Sequence, residues 1–231
     1  MSVWISDPRW ERVAAASGVG AVILFVLSYI LAGKAPEIDE GATAITAYFA
    51  DDRTLMLWAG VIQGLGSVLF LWFLAALVTT IRDAGQPRLA AAAFAGGILT
   101  IGIGGIGYVM SQALAHSIAR GGDDVAVTTI YTIEWIAYGA TAFPLAVMAW
   151  ATGTAIVKSR VLPEMLGWAS MVAAIWFVIG GAALNLTGFF SPSGAYGLIS
   201  YFLFLAWTLI VSATLAQRAT AAERGAIATP A

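Results

Sequence analysis

The 231-residue chain has no cysteine and a single histidine, His116. The first absence excludes disulfides, thiolate nucleophiles and sulfur metal ligands. The second excludes a poly-His metal site or a bis-His haem within one chain, and no cofactor is expected. Charge is scarce as well: 10% of the residues are Asp, Glu, Lys or Arg, against roughly 25% in soluble domains. The eleven basic residues stand in ones and twos, which offers no surface for nucleic acid.

Apolar sequence takes the place of charge, at 60% of the chain. Residues 89–119 and 165–217 contain no Asp, Glu, Lys or Arg, runs of 31 and 53 residues. A helix that crosses a bilayer needs about 20 predominantly apolar residues, and within one segment only a helix satisfies its own backbone there. The fold class is therefore all-α, a polytopic transmembrane helix bundle, forming one domain over 1–218 with a short tail over 219–231. The predicted spans are 13–33, 54–81, 89–119, 136–157, 165–190 and 195–217. The apolar run at 13–33 is longer than a usual leader core and precedes no A-x-A site, so it reads as a span. The turn signal "SPSG" at 191–194 separates the last two spans.

Arginine and lysine set the orientation. With both termini inside, the inner side holds Arg9, Arg12, Arg82, Arg88, Lys158, Arg160, Arg218 and Arg224. The outer side then holds Lys34, Arg53 and Arg120, together with Glu37, Asp39, Glu40, Asp51, Asp52, Asp123 and Asp124. The expected topology is N-in/C-in, in a bacterial plasma membrane. In the first outer loop, Ala42, Ile45, Tyr48 and Phe49 share one helical face, which predicts a short amphipathic helix over 41–52 lying on the outer interface. Trp4, Trp10 and Trp168 fit an inner aromatic belt, and Trp58 and Trp135 an outer one.

The third span carries Gly102, Gly104 and Gly107 in the spacing G-x-G-x-x-G. A dinucleotide fingerprint needs a strand before it and a helix after it, whereas these glycines lie in mid-span. No nucleotide is expected at Gly102, Gly104 and Gly107. Glycine in a membrane helix lets two backbones approach, and Gly60, Gly64, Gly97, Gly104 and Gly105 are the predicted packing positions. Pro144 lies inside the fourth span and predicts a kink there.

Polar side chains inside spans are the best functional pointers in such a protein. Here they are Gln63, Tyr108, Gln112, His116, Tyr131, Glu134, Tyr138, Asn185 and Tyr201. At about 1.5 Å per residue, Gln112 and Glu134 lie about 36 Å from their inner charged boundaries, past a core of about 30 Å. The set forms a crown near the outer interface, while the inner half offers hydroxyls such as Thr141, Thr152 and Thr154 that can bond their own helix. Tyr108, Gln112 and His116 share one face of the third span, and Tyr131, Glu134 and Tyr138 one face of the fourth. Antiparallel packing of the two would bring Glu134 to Gln112 or His116. The crown reads as an interface belt, as an outward pocket for a small amphiphilic, lipid-like ligand, or as a catalytic His/Glu pair. No nucleophile motif or metal-ligand set accompanies that pair, so an enzyme is not the expectation.

The stretches "AYFADDRTLMLWAGVIQGLGSVLFLWFLAALVTTIRDAG" and "VLPEMLGWASMVAAIWFVIGG" resemble a broad set of uncharacterised bacterial integral membrane proteins, mostly actinobacterial, with six helices. The resemblance implies a six-helix bundle in the plasma membrane and supplies no catalytic or binding residues. Three functional expectations remain. The first is a non-enzymatic accessory subunit of a larger membrane assembly, such as a lipid or cell-envelope transport complex, partnered by the lipid bilayer and by other subunits or itself. The second is a protein that binds or processes an amphiphile at the crown, and the third a small transporter.

Overall fold

The computed structural model describes residues 8–121 and 123–228, and among these the chain is all helical. Trp4 and residues 229–231 of the tail lie outside the described residues. The helices are α1 (Pro8–Ala32), α2 (Gly41–Asp51), α3 (Arg53–Asp83), α4 (Pro87–Ala113), α5 (Asp124–Ala140), α6 (Ala142–Ser159), α7 (Glu164–Ala182) and α8 (Ala195–Ala228). Beyond Ala113 the chain of α4 runs on through a π-helical turn, Leu114–Ile118, and a last turn, Ala119–Gly121. Six stretches are long and apolar enough to cross a membrane: Trp10–Ala32, Arg53–Asp83, Pro87–Ser117, Asp124–Ser159, Glu164–Ala182 and Ala195–Ala221. The chain is thus a multi-pass membrane protein.

Each helix packs on its neighbours in an order unlike that of the sequence. α3 lies between α1 and α4, α8 covers the far side of α1, and α6 joins α4 to α7. α7 and α8 touch and close the ring. Its centre is filled by Phe70, Phe73, Leu74 and Leu77 of α3, Met148 and Ile156 of α6, Phe177 of α7, and Trp207 and Val211 of α8. Phe70 meets Phe204 at 5.5 Å between ring centroids, and Phe73 meets Trp207 at 6.4 Å. Trp58, Trp72, Leu99, Trp150, Val172 and Ile210 point outward, as lipid-facing side chains do.

Lipid is as apolar as leucine, so burial alone does not hold such helices together; close contact and interhelical hydrogen bonds do. A helical carbonyl keeps a second lone pair after its own helix bond, and several side chains use it. Ser28 Oγ donates to Ala59 O at 2.8 Å, Tyr201 OH to Phe25 O at 2.9 Å and Ser212 Oγ to Ala15 O at 2.5 Å. Trp207 Nε1 donates to Ser170 Oγ at 2.8 Å. Thr141 Oγ1 bonds Tyr138 O of its own helix at 2.6 Å, as expected. Thr152 Oγ1 and Thr154 Oγ1 differ from expectation: both are buried with no hydrogen-bond partner.

The glycines divide by what faces them. At Gly96 a Cβ would lie 2.6 Å from Pro144 O and 2.7 Å from Met148 N, so α4 and α6 touch backbone to backbone. Gly153 and Gly167 do the same for α6 and α7, with a Cβ on Gly153 2.6 Å from Gly167 O. Of the predicted packing positions, Gly97 receives the Leu74 side chain and Gly60 the Gln112 amide. Gly104 has Thr141 Cγ2 at an ordinary 3.6 Å, and Gly64 and Gly105 have nothing within 4 Å. The G-x-G-x-x-G stretch lies wholly inside α4, where amide hydrogens are engaged in the helix.

The fourth and fifth spans differ from their predicted extents. The fourth span starts at Asp124 rather than 136, where the Asp123 carboxylate caps the helix by accepting from Ala126 N at 2.8 Å. It breaks at Thr141, three residues before Pro144, whose missing N–H leaves the carbonyl four residues earlier without its helix bond. The fifth span ends at Ala182 rather than 190, and the chain turns through 183–194 with Gly188 at φ +78°.

At 31 and 36 residues, the third and fourth membrane stretches measure about 46 and 54 Å, more than the hydrocarbon core of about 30 Å. Their excess forms a cap with α2. A second hydrophobic cluster lies there: Ile45, Phe49, Met56, Leu114, Ala115, Ala119, Val127 and Tyr131. The apolar face of α2 is therefore spent on protein. Ile45 and Phe49 are buried in the cap instead of lying along the membrane interface.

Candidate functional site

Glu134 sits ten residues into α5, about 15 Å below its capped start, where the cap meets the bundle. Its side chain is 5% exposed. The Ser111 hydroxyl of α4 interacts with the carboxyl, yet Glu134 Oε2 is buried without a hydrogen-bond partner. Among the described side chains no basic group is in ion-pair contact with it. An unsatisfied buried acceptor costs about 1–3 kcal/mol, and more when it is charged.

Tyr48 of α2 and Tyr131 and Tyr138 of α5 lie within electrostatic range of Glu134. Tyr131, Trp135 and Tyr138 form a ladder of edge-on contacts, each at 5.9 Å. Phe49 meets Tyr131 edge-on at 6.1 Å. Tyr131, with no exposed surface, donates its OH to Pro36 O at 2.6 Å, which ties the segment entering α2 down onto α5. Burial pushes the Tyr48 phenol above its ordinary range, and the Glu134 carboxyl adds to the shift.

The predicted crown residues part into two groups. Glu134, Tyr131 and Tyr138 come together as expected, and Tyr108 and Tyr201 lie within electrostatic range of Tyr138. The others are placed elsewhere. Gln112 donates Nε2 to Met56 O at 3.2 Å and stitches α4 to α3. Asn185 falls outside any helix, exposed, with Oδ1 accepting from Leu186 N at 2.9 Å. Gln63 is half-buried on α3 beside the open Gly64. His116 lies exposed on the π-helical turn, whereas Glu134 is buried. That turn has more residues per revolution than an α-helix, so a face projected from Tyr108 and Gln112 no longer contains position 116. The turn also releases a carbonyl from α-helical pairing, and Arg53 Nε donates to Ala115 O at 2.9 Å.

Sequence reasoning missed Tyr48 and Ser111 as parts of the site. Tyr48 stood on the amphipathic face of 41–52, and only folding α2 back over α5 brings it to Glu134. Ser111 precedes Gln112 by one position, just off the stripe that was followed. Among the described residues no group of three or more His, Cys, Asp or Glu is placed to hold a metal ion.

Chemically the site is a shielded carboxyl with one unsatisfied oxygen, within electrostatic range of three phenols and next in sequence to Trp135, whose Nε1 is likewise buried without a hydrogen-bond partner. It can accept a proton, a hydrogen bond from an O–H or N–H, or a positive charge. No family model, curated protein or solved structure matches the chain.

Proposed function

We propose that the protein is a multi-pass protein of a bacterial plasma membrane that binds a small amphiphilic molecule between cap and bundle, at Glu134. The observation that carries this reading is the buried Glu134 Oε2 with no partner. A membrane protein keeps a carboxyl at such a depth at a cost in stability, and intramembrane carboxyls mark ligand or ion sites. The rings of Phe49 and Trp135 pack on Tyr131 near this carboxyl, an apolar setting that suits a ligand with one polar end and a greasy body.

The same reading takes the cap to be external. Arg82, Arg88, Lys158, Arg160 and Arg218 gather at the end opposite the cap, and basic residues favour the cytoplasmic side. Because the chain lacks cysteine, single cysteines report sidedness cleanly. Thr43→Cys should react with an impermeant maleimide on intact cells and Asp83→Cys only after lysis; the reverse pattern would overturn this topology.

Binding is tested by extracting the protein in mild detergent and identifying retained small molecules by mass spectrometry. Wild type should carry a stoichiometric amphiphile that Glu134→Gln loses while remaining folded. Equal retention by both, or none in wild type, would remove the reading.

A second reading, an accessory subunit of a larger membrane assembly, is favoured by Gly64, Gly102 and Gly105, which present small-residue surface with nothing against it. Such surface admits another helix closely. A single stoichiometric protein partner in the same extract, lost on Gly105→Leu, would favour it.

A further inference from the structure

We infer that the protein holds an anionic phospholipid by its phosphate, in a notch between the α6–α7 turn and the last membrane turns of α8. The notch is at the basic end of the bundle, away from Glu134, and the inference does not depend on the reading made there. It is an open hollow of about 500 Å³, lined by the turn 160–164 and by Thr214 and Arg218.

Arg160 is the one non-glycine residue at positive φ among those described, at +54°, where its N–H bonds Ile156 O at 2.7 Å and ends α6. Helices that end in this left-handed conformation mostly use glycine, which has no Cβ to strain. Here the strained position carries an arginine, and that arginine lines the notch. Arg218 comes from α8, four residues beyond Thr214 and on the same face. Among the described side chains it has no anionic partner. Glu164 also lines the notch, but its carboxylate is engaged, 3.8 Å from Arg160 Nε and accepting from Trp168 Nε1 at 3.4 Å. Two guanidinium groups thus stand against one carboxylate, which leaves positive charge for an anion. Thr214 Oγ1 is committed to Ile210 O at 2.7 Å. The remaining donors are the arginines and the first turn of α7, which has no side-chain cap and so carries amides without a helical partner. Guanidinium groups grip phosphate through paired N–H donors.

Depth favours a lipid over a soluble phosphate compound. α7 has 19 residues, about 28 Å, against a hydrocarbon core of about 30 Å. Its first turn therefore lies at the level of lipid headgroups. Trp168, one turn further in, is exposed, as an interfacial tryptophan is. Toward mid-membrane, Val172 on α7 and Ile210 on α8 are exposed as well and offer acyl chains an apolar surface. Basic pockets between membrane helices take anionic headgroups in this way.

The test uses the full-length protein in a neutral detergent, with native mass spectrometry counting lipids per chain. The probes are dioleoyl phosphatidylglycerol, dioleoyl phosphatidylcholine, dioleoylglycerol and inorganic phosphate. Phosphatidylglycerol should bind saturably at one per chain, about tenfold tighter than the zwitterionic or the phosphate-free lipid. Arg160→Gly and Arg218→Gln should each weaken it about fivefold. Arg160→Gly relieves the backbone, so without lipid it should unfold no earlier than wild type; earlier unfolding would make the arginine a structural element and overturn its role. Arg82→Gln, at the same end but outside the notch, and Glu134→Gln should leave lipid binding unchanged. Equal affinity for phosphatidylglycerol and dioleoylglycerol, or as large a loss in Arg82→Gln as in Arg218→Gln, would overturn the site. So would the absence of any saturable lipid. Displacement of the lipid by millimolar inorganic phosphate would overturn the lipid and assign the notch to a soluble phosphate compound.

Discussion

Gly60 and Gln112 interlock across α3 and α4: a Cβ on Gly60 would overlap Gln112 Nε2, whose amide reaches past it to Met56 O. Gly60→Ala should therefore cost about 1–3 kcal/mol through overpacking. Gly60→Ala combined with Gln112→Ala should be less destabilised than the sum of the two single changes. Thermal unfolding in detergent reads the coupling, and strict additivity would refute the interlock.

Backbone contact makes Gly96 and Gly153 less forgiving than Gly60, because no side chain there can swing aside. Gly96→Ala and Gly153→Ala should each lower the unfolding temperature more than Gly60→Ala does. Gly64→Ala and Gly105→Ala, facing open space, should leave the isolated chain within about 0.5 kcal/mol of wild type.

Tyr131 holds the cap shut through its OH. Tyr131→Phe keeps the ring contacts and removes the bond to Pro36 O, a loss of about 1 kcal/mol. Limited proteolysis within 34–52 should accelerate, with cleavage elsewhere unchanged. A uniform rise at every site would mean that the whole fold, rather than the cap, had loosened.

The Tyr48 phenol has its pKa in the folded state raised above the ordinary 10.0 by burial. Folding therefore favours its neutral form, and the associated stability is complete below about pH 10 and is lost as pH rises through the folded value. Phenolate absorbance near 295 nm should show a late-titrating fraction in wild type that Tyr48→Phe reduces by the amplitude of one tyrosine. Tyr48→Phe should also flatten the loss of cap protection in alkali.

Glu134 should be more useful than stabilising. Replacing the carboxyl by an apolar side chain of similar length, Glu134→Met, removes a buried acceptor that has no partner. Stability should rise by about 1–3 kcal/mol, the exchange expected of a residue kept for binding. A lower unfolding temperature in Glu134→Met would show that the carboxyl is a structural element.

Composition and periodicity alone determined that six apolar helices cross a membrane, because the cost of burying unsatisfied backbone in lipid leaves a chain this apolar few other solutions. They also placed Tyr131, Glu134 and Tyr138 on one face, since that face lies within a single regular helix. Tertiary structure decided the rest. The π-helical turn moved His116 off the projected stripe, and the end of α7 at Ala182 left Asn185 in a turn. α2 spent its apolar face on a small protein core and so delivered Tyr48 to Glu134. Which glycines carry the bundle was equally invisible in sequence: Gly96, Gly153 and Gly167 differ from Gly64 and Gly105 only in what lies opposite. Helix periodicity is local and legible, whereas the partner across an interface depends on the packing of the whole chain.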